Sequence, residues 1–204
     1  MGGVLTSGQR SKTTRERWRI ISARCGLAFV SSLVWHSSQA QFPDQYDQWF
    51  RETAIRYLYT YLPDDDWRWW KAQCYQESRL KPDAISPAGA VGLCQLISGA
   101  ARDAGLDPGL RTDARRNIKA GAWIMRRNLR VWWRRDDRLE HLKLGWAGYN
   151  AGAGNIIKAQ SLCDAAPLWD GISQCLQCVT GPKNSAETIG YVWLIQRWYA
   201  ALAE

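Results

Sequence analysis

Between positions 74 and 96 the chain reads CYQESRLKPDAISPAGAVGLCQL, and the residue in it best suited to chemistry is Glu77. Trp70, Cys74 and Glu77 are separated by four and three residues, so a helix over about 65–78 carries the glutamate on its apolar face. Burial penalises the ionised form, so the carboxyl should keep its proton to a higher pH than usual. That is what a general acid working near neutrality requires. Taken alone, the same position suits a buried ion pair with an arginine equally well. The residues that follow favour the chemical reading: Pro82, Ser86, Pro87, Gly89 and Gly92 mark an ordered loop of the kind that positions something. Its one further acid, Asp83, sits in a turn beside Pro82 and should face solvent, and positions 84–102 hold no acid. The site implied has a single carboxyl.

Other chemistries lack their residues. The chain has two histidines, His36 and His141, too few for a multi-histidine zinc site, and only His141 could serve a Ser-His-Asp triad. NAGAGNI follows a helical pattern rather than a strand, which argues against a dinucleotide fingerprint. Asp64, Asp65 and Asp66 lack the alternation of a calcium loop and read as a helix start. RRNLRVWWRRDDR (126–138) reads as the solvated face of a helix rather than a nucleic-acid surface. No cofactor, metal or nucleic acid is expected.

The elements that must hold Glu77 are helical. Trp49, Ile55, Leu58 and Leu62 form one amphipathic stripe up to Pro63. Further helices are expected over LCQLISGAARDAGL, closed by Gly105, over TDARRNIKAGAWIMRRNLRVWW, over RLEHLKLGWAGYNAG and over SAETIGYVWLIQRWYAALA. Residues 160–184, with three cysteines and two prolines, read as irregular. Strand alternation is absent apart from a possible short hairpin near 80–92, so the domain is mainly α.

Residues 1–40 differ from the rest. Six cations and one acid precede the apolar run CGLAFVSSLVW, and Ser38 and Ala40 suit cleavage before Gln41. This is the pattern of an export signal, with 41–204 as the domain proper and membrane contact confined to the leader. An uncleaved leader would anchor the protein instead. The chain carries 27 Lys and Arg against 19 Asp and Glu, +8 overall, of which 41–204 retains only +3. Five cysteines remain after the leader, so at least one stays free in a monomer. The expected disulfide joins Cys163 to Cys175 or Cys178, where a loop gains most from a cross-link; Cys74 and Cys94 are expected to be buried thiols beside the acid.

Four blocks in order and spacing carry a more specific signal: ESRLKPDAISPAGAVGLCQL, RRNIKAGAWIM, GWAGYNAGAGNI and ETIGYVWLI. Over residues 66–200 they resemble the soluble-lytic-transglycosylase-like family of the lysozyme superfamily. The resemblance implies a lysozyme-like helical domain with at most a short β-hairpin beside its cleft. It also implies that Glu77 is the acid/base and that Ser86, Gln95, Tyr149 and Asn150 contact the sugar. Glu187 and Tyr191 would line the far side. Departures occur at Cys94 and Ile97, where the family pattern has methionine, at Ser98, where it has proline, and at GWAGYN in place of LAAYN. Ile97 would still contact substrate.

The implied activity is cleavage of the β-1,4 bond between N-acetylmuramic acid and N-acetylglucosamine in peptidoglycan, in the periplasm or at the cell wall. Ordinary glycoside hydrolysis needs two carboxylates. One suffices when the substrate's 2-acetamido group stabilises the cationic centre and its own 6-hydroxyl attacks C1, giving a 1,6-anhydro sugar. A hydrolytic muramidase of lysozyme type, such as a phage endolysin, and a non-catalytic peptidoglycan-binding component of a secretion apparatus are the alternatives. Secretion or phage-lysis partners belong to those settings.

Overall fold

The computed structural model describes residues 42–132 and 137–204; the expected leader lies outside them. Helix α1 (Asp47–Thr53) runs into a π-helical turn (Ala54–Leu58) and a 3₁₀ turn (Tyr59–Tyr61). Its inward side is Phe50, Ala54, Leu58 and Leu62, every fourth residue. The expected stripe placed Ile55 on this side, but Ile55 is 70% exposed. The wider i→i+5 turn rotates the inward face onto the strict four-residue spacing, away from a 3.6-residue period.

Helix α2 (Arg68–Ser78) starts where the three aspartates suggested: the Arg68 backbone N–H donates to Asp66 Oδ1 at 2.9 Å. The buried Lys71 ammonium meets Asp47 at 2.5 Å and ties α2 to the start of α1. Beyond Ser78 both Arg79 (φ 57°) and Leu80 (φ 58°) are left-handed, which side chains adopt at a cost. Arg79 is held there by stacking over Tyr75 and Trp198, at 4.9 and 4.3 Å from the ring centroids.

Short α3 (Ser98–Asp103) is followed by a turn through Gly105, and α4 (Ala114–Leu129) is capped by Asp113, which accepts from Arg116 N–H at 2.9 Å. Helix α5 (Arg138–Ala151) is the central element, with Leu142, Leu144, Trp146 and Ala147 all buried. It packs against α4, α6 (Ala153–Leu162) and α7 (Trp169–Ala203), and α7 packs against α2. At Gly145 a Cβ would press on Leu129 and Met125, so glycine sets how closely α4 and α5 approach.

Two expectations change here. Residues 160–184 are not irregular: α6 reaches Leu162 and α7 begins at Trp169. Trp169, Ile172 and Leu176 recur at three- and four-residue spacing and are buried, a helical period that the interspersed glycine, glutamines and cysteines disguise. Glu140 Oε2 accepts from Trp169 N–H at 2.9 Å, fixing where α7 starts. The helix bends at Gly181 (φ +79°), and Pro182 opens its second half, where a missing N–H is tolerated. The hairpin near 80–92 reduces to single antiparallel bridges, Ile85 to Val91 and Val91 to Leu96. The domain is mainly α, as expected.

Candidate active site

Glu77 lies in the last turn of α2, at the foot of a cleft of about 870 Å³ between the 79–97 loop, α4, α5 and α7. Ser86, Gln95, Ile97, Tyr149, Asn150 and Glu187 line the same cleft. Tyr191 and Glu187 line an adjoining recess that also reaches Glu77. The fold thus brings all the expected site residues together. Burial pushes the Glu77 carboxyl from 4.5 up to about 8, while a hydrogen bond from the Tyr191 hydroxyl, 2.5 Å from Oε1, pulls it partly back. Its place at a helix C-terminus also disfavours the negative charge. Both neighbouring phenols, Tyr149 and Tyr191, are raised well above their ordinary range, first by burial and then by the facing carboxylate. Glu187 is exposed on α7, and Asp83 is exposed and outside the cleft lining.

Ser86, Gln95, Tyr149 and Asn150 are each held by hydrogen bonds within the protein. Ser86 Oγ accepts from Ala90 N–H at 3.1 Å, leaving its own proton to donate. Gln95 has a left-handed backbone (φ 49°), and its amide nitrogen donates to Ala84 O and Gly92 O, at 3.1 and 2.9 Å. Both amide hydrogens therefore fasten the loop, and toward the cleft Gln95 offers its oxygen. The Tyr149 hydroxyl donates to Cys94 O at 2.8 Å. Asn150 Oδ1 accepts from Thr188 Oγ1 at 2.7 Å, which leaves the amide hydrogens free to donate.

The loop is closed by groups that the sequence reading passed over. Buried Asn117 accepts from Cys94 N–H at 2.9 Å and donates to Val91 O and Arg111 O, at 3.0 and 2.7 Å. Gly92 (φ +89°) lies against this amide, where a Cβ would collide with Asn117 and Arg111. Arg111 donates to Gly89 O and Leu96 O, and Ser78 Oγ to Leu93 O at 2.7 Å. The signal for Asn117 was its place in the Asn-Ile block; nothing in the sequence pointed to Arg111.

Cysteine pairing departs from expectation. Cys74 and Cys94 form a disulfide, with Cα atoms 4.4 Å apart, joining α2 one turn before Glu77 to the end of the loop. Two buried thiols were expected, but the close approach of helix and loop falls within disulfide reach. Cys163 pairs with Cys175, one of the two expected partners, and Cys178 is an exposed free thiol. The 126–138 segment also departs: Arg127, Asn128 and Val131 line the cleft instead of facing only solvent, because α4 forms one cleft wall; positions 133–136 lie outside the described residues. His141 is buried with Nε2 2.6 Å from Leu129 O and does not line the cleft.

A helical domain with one partly buried carboxylic acid at the foot of its cleft is of the lysozyme-like class. Residues 61–169 match the family model of the transglycosylase SLT domain, and the chain belongs to that family. It is 32% identical over 155 residues to the membrane-bound lytic murein transglycosylase F of Alcanivorax borkumensis, covering 67% of this chain and 32% of that protein. The corresponding protein of Shewanella woodyi is 32% identical over 159 residues, covering 70% and 32%. The chain therefore spans about a third of the length of these relatives. The crystal structure of the 70 kDa soluble lytic transglycosylase of Escherichia coli superposes with a TM-score of 0.60 at 24% identity, over 78% of this chain and 24% of that one.

Proposed function

We propose that the protein is a peptidoglycan lytic transglycosylase in which Glu77 is the only catalytic acid/base. The observation that carries this reading is the Glu77 carboxyl at the foot of an extended cleft, 2.5 Å from the Tyr191 hydroxyl and pushed by burial up to about 8. Glu77 protonates the leaving glycosidic oxygen between N-acetylmuramic acid and N-acetylglucosamine. The substrate's acetamido group then shields the cationic C1. The resulting carboxylate, steadied by the Tyr191 hydroxyl, takes the proton of the 6-hydroxyl as that oxygen closes on C1. The products are a 1,6-anhydro end and a regenerated Glu77. Ser86, Gln95, Ile97, Tyr149, Asn150 and Glu187 hold the glycan strand. Residues 1–40 act as the export signal, placing the domain in the periplasm or at the cell wall; among the described residues no helix is long and apolar enough to cross a membrane.

Mass spectrometry of digested sacculi tests the reaction. Anhydro ends are expected; reducing ends would replace this reading with hydrolysis, and binding without release would replace it with a non-catalytic module. Glu77→Gln should lower turnover by about 10²–10⁴-fold, the usual cost of losing general acid–base catalysis.

A further inference from the structure

The wall that α4 and the 3₁₀ turn after it (Arg130–Trp132) present to the cleft is a helical stripe, Ile124, Arg127, Asn128 and Val131, at spacings of three, one and three residues. Asn128 is the anomaly in it. It is 7% exposed, flanked in sequence by the buried Leu129 and one turn beyond the buried Ile124 and Met125. An apolar side chain would suit that environment, and asparagine is a poorer helix former than leucine. The protein's other buried asparagine on α4 shows what a structural role looks like: Asn117 has its donors and acceptor engaged by loop backbone. Among the described residues the Asn128 side chain has no hydrogen-bonding partner. Nor is it sealed in the core: it lines the cleft and opens onto it.

We infer that Asn128 is a specificity-determining residue that reads the acetamido group of an N-acetylated sugar. An asparagine amide offers one acceptor and two donors, so it can accept from the acetamido N–H while donating to the acetamido carbonyl. Ile124 and Val131, one turn to either side on the same stripe, supply apolar surface for the methyl group. Amide beside methyl on the protein matches amide beside methyl on the ligand. The inference rests on the proposed glycan-cleaving reading and names the group that the α4 wall selects.

The test is titration calorimetry on a Glu77→Gln background, which binds without turning over. The probes are the N-acetylglucosamine tetramer and its de-N-acetylated counterpart. Adding Asn128→Leu should weaken binding of the acetylated tetramer about tenfold and leave the other unchanged, the scale of a hydrogen-bonded pair lost from a desolvated wall. Thermal melts of the same variants show that the leucine folds. Equal binding of each tetramer with and without Asn128 overturns the inference, as does a parent that binds neither. Release of anhydro ends by the unsubstituted protein is measured alongside. Cleavage without an Asn128 effect removes this inference and leaves the proposed function. An Asn128 effect without cleavage removes the proposed function and leaves an acetamido-reading glycan binder.

Discussion

Replacing Glu77 by glutamine should stabilise the protein, and by an amount that grows with pH. In the unfolded chain the carboxyl loses its proton near 4.5, whereas in the fold burial holds it to about 8. Below pH 4.5 both states carry the proton and the group makes no difference. As pH rises the unfolded chain ionises first, so native stability falls by about 1.4 kcal/mol per pH unit until the folded carboxyl also ionises. At pH 7 the accumulated loss is about 3 kcal/mol. Glutamine has no proton to lose, and its carbonyl still accepts from Tyr191. Glu77→Gln should therefore melt with the wild type at pH 4.5 and about 6–12 °C above it at pH 7, on the usual scaling for a domain of this size. Calorimetric scans of both proteins from pH 4.5 to 8.5 provide the measurement. A melting difference that stays flat across the range, or reverses, would show that the carboxyl is not held neutral, and the reasoning from burial to general acid would fail with it.

Two further outcomes follow from the same geometry. Tyr191→Phe removes the hydrogen bond that favours the carboxylate, so the alkaline limb of the kcat/KM profile should move up by about one pH unit; an unmoved or lowered limb would refute the role. Cys74→Ala with Cys94→Ala opens a loop of 20-residue separation and should cost about 3 kcal/mol by the loop-closure estimate. Urea unfolding of the double variant measures it, and an unchanged midpoint would show that the loop holds without the bond.

The sequence was most legible where local rules govern. Trp70, Cys74 and Glu77 announced their shared face, and the glycines and prolines after them announced the loop. The Asp113 cap, the helix start marked by Asp66 and the turn at Gly105 followed from residue type. What stayed hidden depended on distant partners. The 74–94 disulfide required knowing that the loop returns to α2, and Arg111 acts only through carbonyls far away in sequence. The π-helical turn misplaced Ile55 because the period itself changes there. The α4 wall was read as a solvated face because charges at Arg126, Arg127 and Arg130 obscured the one amide among them.

The Cys74–Cys94 bond closes a covalent ring that contains Glu77 near one foot and has Gln95 just beyond the other. Surface loops are normally where a fold opens first and exchanges its amide hydrogens fastest. In this protein both feet of the loop are bonded, so local opening can disturb the exposed tip at Pro87, Ala88 and Gly89 but cannot carry the acid away from the opposite side of the cleft. Amides at the feet, such as Cys94, should therefore exchange only with global unfolding. Since Pro87 and Ala88 also line the cleft, motion confined to the tip alters the width of the cleft mouth while the spacing between Glu77 and Gln95 stays fixed.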